Sequence, residues 1–265
     1  MGAVPHITID DVSLTYVSKQ SKVVALDHVS FDIPPRSFIS IVGPSGCGKT
    51  TLLKILSQIL RPSAGRVLFD GEDLDPARLA GRCGYVFQRP LLLPWRTAIE
   101  NVMLTLEVTH KEMGRRERQE TAQRWLNLVG LGGFEDKLPH QLSGGMQQRV
   151  SLSRALAFQP AILMMDEPFA ALDEITREVL QGELLRLWGV LETSVIFITH
   201  SISEAVLLSE RIVVMTARPG KVDEIIDVPF PRPRDESIRV SAEFTMLVQH
   251  IREKLRGGDI RAAAE

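Results

Sequence analysis

Along the first seventy residues apolar and polar positions alternate with a period of two in three short runs, Ile7–Asp10, Val12–Tyr16 and Val29–Ile33, the last closed by Pro34-Pro35. Alternation of this kind predicts half-buried strands, and their close succession predicts an antiparallel β region at the N-terminus. Phe38–Val42 departs from it, being apolar throughout except Ser40, as a parallel strand buried on both faces must be. Beyond it the period becomes helical, with Leu52, Ile55, Leu56, Ile59 and Leu60 on one face and Pro62 as the stop. Gly65–Asp70 predicts another strand, turned by Gly71.

From Gln88 to about Pro160 the texture is helix and loop, Ala122, Trp125, Leu126 and Val129 forming one apolar face on a charged segment. Strand patterns return at Ile162–Met165, Val195–Thr199 and Ile212–Thr216, with a helix carrying Leu180, Leu184, Leu187 and Leu191 between the first two. Arg218–Arg234 is rich in proline and charge, and Ser237–Leu255 is amphipathic at helical spacing. The pattern predicts one α/β domain over residues 1–265, with a helical insertion at about 89–160 and a short extension at 218–265.

Composition narrows this little. Among 265 residues, 31 Lys plus Arg oppose 33 Asp plus Glu, so the formal net charge of -2 gives no reason to expect a nucleic-acid partner. An apolar fraction of 44% with 24% charged residues is globular and excludes disordered or fibrous classes. No apolar run approaches the roughly 18 to 20 residues of a spanning helix. Met1–Asp11 has neither the basic head nor the apolar run of a signal peptide. Two cysteines, Cys47 and Cys83, argue against a disulfide framework and fit a reducing compartment.

The chemistry is concentrated in three segments. Gly43-Pro44-Ser45-Gly46-Cys47-Gly48-Lys49-Thr50 has the G-x-x-x-x-G-K-[ST] spacing between a predicted strand and a predicted helix. Backbone N–H groups of such a loop cradle phosphates, Lys49 adds a full charge, Thr50 offers a hydroxyl to Mg²⁺, and Thr51 follows in the same turn. Glycines at 43, 46 and 48 are expected to take positive φ or to permit close approach. A bulky adduct on Cys47, within the loop, would obstruct a nucleotide. Leu142-Ser143-Gly144-Gly145-Met146-Gln147-Gln148-Arg149 is a serine-capped, glycine-rich helix start, a second place for an anion. Ile162-Leu163-Met164-Met165-Asp166-Glu167 is an apolar strand ending in two acids, which alone fits a solvated strand end as well as a catalytic pair.

The phosphate loop and the LSGG segment in one chain resemble the ATP-binding-cassette (ABC) family, a P-loop NTPase fold with an N-terminal antiparallel β subdomain and an inserted helical subdomain. The resemblance implies ATP and Mg²⁺ as ligands. It makes Asp166 a Mg²⁺ ligand through water and Glu167 the group that polarises the attacking water. Gln88 becomes a sensor of Mg²⁺ and water, His200 a γ-phosphate contact, and Tyr16 an adenine platform. Ser143, Gly144 and Gly145 would face a nucleotide held by a second copy of the chain, and Ala171-Leu172-Asp173 would line that interface.

Finer features are similar to importer ATPases for nitrate, sulfonate, taurine and related small compounds. They are Leu91-Leu92-Leu93-Pro94-Trp95-Arg96-Thr97, Ala217-Arg218-Pro219-Gly220 and Ile225-Ile226-Asp227-Val228-Pro229. With no spanning helix of its own, such a subunit would sit at the cytoplasmic face of the membrane on separate permease subunits, a solute-binding protein acting indirectly. The rival readings are a soluble ABC ATPase acting on nucleic acid or ribosomes, which would carry two cassettes or a long coiled-coil insertion, and an exporter ATPase.

Overall fold

The computed structural model describes residues 4–18, 21–73, 79, 81–216 and 218–262, with side chains to residue 256. Of the expectations above, Ala217 and the first three residues lie outside the described set. The chain divides into two compact units, Met1–Leu79 with Ser194–Glu265, and Ala80–Thr193.

In the first unit β1 (Ile7–Val17) pairs antiparallel with β2 (Lys22–Ile33). The two runs expected at Ile7–Asp10 and Val12–Tyr16 are one strand. Asp11 takes φ 54 and the register shifts between Ile9 and Val12, so the break in alternation marks a bulge rather than an end. β2 is also longer than Val29–Ile33, because its exposed first three residues, Lys22–Val24, pair with Thr15–Val17 without burying a face. β3 (Phe38–Val42) is wholly buried, as its unbroken apolar run requires. After it comes α1 (Lys49–Leu56), and β4 (Ala64–Phe69) and β5 (Glu72–Asp73) complete the antiparallel sheet in the order β2-β1-β4-β5. α1 stops a turn earlier than its apolar spacing suggests. Gln58 adopts φ 60 and Ile59 is exposed, so the chain leaves the helix before Pro62 can end it.

The second unit opens with β6 (Cys83–Val86), continues through α2 (Ala98–Thr109), α3 (Arg115–Leu128) and α4 (Gly144–Leu156), and reaches β7 (Ile162–Asp166), which lies parallel to β6. α5 (Glu174–Trp188) follows. Val102, Leu106, Ala122, Leu126 and Val150 are buried among the helices, the Val and Leu side chains each stabilising the cluster by roughly 1.5–3 kcal/mol if fully removed from water.

Returning to the first unit, β8 (Ser194–Ile198) and β9 (Arg211–Met215) flank β3 on either side and run parallel to it, with α6 (Ile202–Leu208) between them in sequence. β10 (Val222–Asp227) adds antiparallel to β9. That strand lies inside the proline- and charge-rich segment and escapes the pattern because only Ile226 in it is buried. The final helix, α7 (Ala242–Ala262), begins later than Ser237, since Glu236–Val240 form a 3₁₀ turn first. Arg234 ties this end down by donating to the carbonyls of Val206, Leu207 and Ser209, and burial lowers its pKa to about 10.

Candidate active site

Three parallel strands of the first unit, β9, β3 and β8, end on one edge, the side on which open α/β sheets bind ligands. The loop leaving β3 is the phosphate loop. Gly46 and Gly48 take φ 76 and φ 98, as the spacing requires. A methyl group at Gly48 would lie 2.6 Å from Leu26 Cδ2 and 2.8 Å from the Ala25 carbonyl, so no other residue fits there. Gly43 serves close approach rather than positive φ: a Cβ there would stand 2.6 Å from Cys47 Sγ and 3.0 Å from the Met215 carbonyl oxygen.

Lys49 is buried, and its Nζ donates to the carbonyls of Gly43 (2.8 Å) and Pro44 (2.9 Å), which closes the loop upon itself. α1 begins at that lysine with no capping side chain and no acidic residue in its first turn. Its N-terminal amides and dipole therefore favour an anion. Ser45 and Thr50 are exposed beside it, while Cys47 is 1% exposed. Burial raises the Cys47 thiol pKa, with Lys49 opposing the shift.

Tyr16 and His200 join this group. The Tyr16 hydroxyl is 3.3 Å from Thr51 Oγ1 in the first turn of α1, and the residue is 44% exposed. Ile41 pairs with Ile198, so the residues after β8 emerge beside the residues after β3. Thr199 donates to Glu204 Oε2 (2.5 Å) and accepts from Ser201 N (3.0 Å), and the Ser201 hydroxyl caps α6. His200 sits exposed between two residues whose backbone is thus fixed.

The second unit assembles a different set. Val86 pairs with Met165, so Gln88 and the acids Asp166 and Glu167 follow the ends of adjacent parallel strands. Glu167 adopts φ 47, outside the region most residues prefer, and both acids are half-buried. Burial, reinforced by the Asp166 charge, raises the Tyr85 phenol pKa. Gln148 Nε2 donates to Phe87 O (3.2 Å), which ties the approach to Gln88 to α4.

α4 starts as the sequence predicts. Ser143 is extended and exposed, its hydroxyl accepts from Met146 N (3.3 Å), and nothing stands within 4 Å of a methyl placed on Gly144. The helix N-terminus is open to an anion. Asp173 likewise caps α5 by accepting from Thr176 N (2.9 Å), which holds its carboxyl below the usual range.

Gln148, Thr199, Ser201 and Glu204 were not anticipated as site-building residues. Buried polar positions on otherwise apolar helix faces, such as Gln148 with Ser151, are the signal that could have found the first. Among the described residues no group of three or more His, Cys, Asp or Glu forms a cation cage. Mg²⁺ needs no such cage, since it keeps water and phosphate oxygens among its ligands and asks for only one or two protein oxygens.

A family model described as ABC transporter matches residues 26–170, spanning the phosphate loop, the LSGG helix start and the paired acids. The chain belongs to the ABC transporter family. It is an ABC ATPase, an α/β cassette with an antiparallel sheet and a helical region. A taurine import ATP-binding protein of Rhizobium johnstonii is 44% identical over 97% of this chain and all of its own length. An aliphatic sulfonates import ATP-binding protein of Bacillus cereus is 40% identical over 97% of this chain and 99% of its own. A solved dimeric ATP-binding cassette in a post-hydrolysis state, bound to ADP and phosphate, matches with a TM-score of 0.76 and 35% identity over 85% of this chain and all of that one. No helix among the described residues of this ATPase is long and apolar enough to cross a membrane.

Proposed function

We propose that this ABC ATPase powers uptake of a small solute of the sulfonate, taurine or nitrate kind through separate membrane permease subunits, working as a pair of copies at the cytoplasmic face. Tyr16, Gly43–Thr51 and, from the second copy, Ser143, Gly144 and Gly145 hold ATP. Thr50, Asp166 and Gln88 serve Mg²⁺, which when bound neutralises charge on the phosphates. Glu167 accepts a proton from the attacking water, a contribution of roughly 10²- to 10⁴-fold, and His200 contacts the terminal phosphate. The chemistry asks mainly for positioning and charge neutralisation, which tightly built loops supply.

The observation that carries the transport reading is the loop after Gln88. Leu91 and Trp95 are 55% and 71% exposed, although the loop backbone beneath them is firmly bound. Asn101, fully buried, accepts from Leu93 N (2.8 Å) and donates to the carbonyls of Arg96 and Thr97 (both 3.0 Å). Large apolar side chains held outward on a rigid loop suit a protein partner better than water. The names of the two import relatives support the solute class. Coexpression with candidate permease and solute-binding proteins, followed by ATP-dependent uptake of taurine, an alkanesulfonate and nitrate into vesicles, tests the reading. Uptake of none of these with a normally assembled complex would overturn the solute assignment, and failure to copurify with any permease would overturn the transport role.

A further inference from the structure

The turn between β9 and β10 carries the Arg218-Pro219-Gly220 stretch that no role above absorbs. β9 is the neighbour of β3, with Val214 paired to Val42, so the chain leaving β9 at Met215 emerges beside the chain entering the phosphate loop. The turn is tied at many points. Thr216 Oγ1 donates to Pro219 O and accepts from Lys221 N (both 3.1 Å), Gly220 N donates to Ala25 O (3.1 Å), Asp27 N donates to Gly220 O (3.0 Å), and Lys221 Nζ pairs with Asp27 at 2.9 Å. Gly220 presses on the phosphate loop itself: a methyl there would fall 1.9 Å from the Cys47 carbonyl oxygen.

This scaffold delivers one cation. A methyl at Gly46 would meet Arg218 Nη2 at 3.1 Å, Nε at 3.6 Å and Cζ at 3.8 Å, so the guanidinium lies alongside the exposed, left-handed glycine of the loop. Arg218 is itself exposed, and no hydrogen bond or ion pair engages its guanidinium among the described residues. An arginine presents five donors in a planar fork suited to phosphate oxygens. Lys49, the other cation of the loop, works from inside it.

We propose that Arg218 is a phosphate-binding residue of the nucleotide site, supplied to the Gly43–Thr50 loop by the β9–β10 turn. The proposal rests on that loop being the phosphate cradle, and the test separates the two. Binding of MgATP and MgADP to the full chain is measured by competition against a fluorescent ATP analogue for wild type, Arg218→Gln, Arg218→Lys and Lys49→Ala, alongside melting without nucleotide. Arg218→Gln should raise Kd for both nucleotides about tenfold with unliganded melting unchanged within about 1 °C, and the deficit should shrink at high salt as the charge is screened. Arg218→Lys should recover part of the affinity, because it keeps the charge while losing the fork. Wild-type binding by Arg218→Gln, with Lys49→Ala impaired, overturns the proposal and leaves the cradle standing. Unimpaired binding by Lys49→Ala overturns the cradle reading and the proposal with it. An equal loss in both Arg218 variants accompanied by lower unliganded melting makes the residue structural and also overturns it.

Discussion

Arg154, at the end of the helix that Ser143 starts, reaches the loop after Gln88 and donates to the carbonyls of Pro90 and Leu91, each at 2.8 Å. Burial lowers the pKa of its guanidinium, yet an arginine remains charged, so these are charge-assisted bonds worth roughly 1.5–3 kcal/mol each. Thr105 Oγ1 fixes the same turn from α2 by donating to Arg154 O (2.8 Å). A helix whose first turn is open to an anion thus grips, with its last turn, the loop that displays Leu91 and Trp95.

Arg154→Ala should release that grip. Hydrogen exchange across residues 89–96 should speed up by about tenfold or more, while β6 and β7, which do not depend on the arginine, keep their protection. Unchanged exchange in the loop would show that Asn101 alone holds it.

Glu167→Gln keeps size and hydrogen-bonding reach but cannot take a proton from water. Steady-state hydrolysis should fall by about 10²- to 10⁴-fold with MgATP binding retained. Phosphate release measured beside nucleotide affinity decides this, and a fall of less than about tenfold would remove Glu167 as the general base.

The two thiols should be poor nucleophiles. Desolvation raises both, Cys83 to about 12, and the reactive species is the thiolate, so its fraction at pH 7 is about one in 10⁵ for Cys83. Maleimide labelling should therefore be slow at pH 7 and rise about tenfold per unit as pH increases. This tempers the expectation drawn from Cys47's place in the loop: geometry puts a thiol at the site, and burial keeps it from reacting. MgATP should slow the Cys47 reaction further and leave Cys83 unaffected. An ATP-protected rate that persists in Cys47→Ser would assign the protected thiol to Cys83.

What the chain disclosed in advance follows from how local each feature is. The phosphate loop, the LSGG cap and the acids after Met165 are contiguous segments; the loop's chemistry is written in its spacing, while the roles of the acids and of the cap come from the family resemblance. Parallel strands with both faces buried, such as Phe38–Val42, also announce themselves. β10 did not, because a strand with one buried residue has no apolar rhythm. Asp11 and Gln58 redirected the backbone through left-handed conformations that nothing in their neighbours foretold. Arg154, Gln148 and Arg218 act on segments 60 or more residues away, and such pairings arise only when parallel strands fix which loops meet.

Ser143→Arg places a long cation where the structure shows an exposed cap and open space over Gly144. Losing the cap should cost about 1 kcal/mol, too little to unfold the chain. Hydrolysis should nevertheless be abolished, because the helix start can no longer approach the partner copy's phosphates, while ATP binding to the isolated subunit persists. Sedimentation with MgATP, run in the Glu167→Gln background, should show the dimer lost. Loss of ATP affinity in a demonstrated monomer would count against a site shared by two copies.

Replacing Leu92 and Trp95 together by Ala tests the outward face of the gripped loop. Core packing would demand that both side chains be covered, but Trp95 is 71% exposed and Leu92 is half-buried, so their removal should leave the fold nearly intact. Asn101 and Arg154 continue to hold the backbone through bonds that neither substitution touches. Basal ATPase should therefore stay within about twofold of wild type, since surface substitutions away from special features are usually within ±0.5 kcal/mol. A permease that seats on this face would lose an aromatic anchor, the kind of residue that dominates an interface at 2 kcal/mol or more. Copurification with the permease should drop by about thirtyfold in affinity, or uptake should uncouple from hydrolysis in the assembled complex. Measuring pull-down, uptake and ATPase on one preparation separates the outcomes: normal assembly and transport would remove this loop as the docking surface, and a lowered melting temperature would return the two side chains to the core.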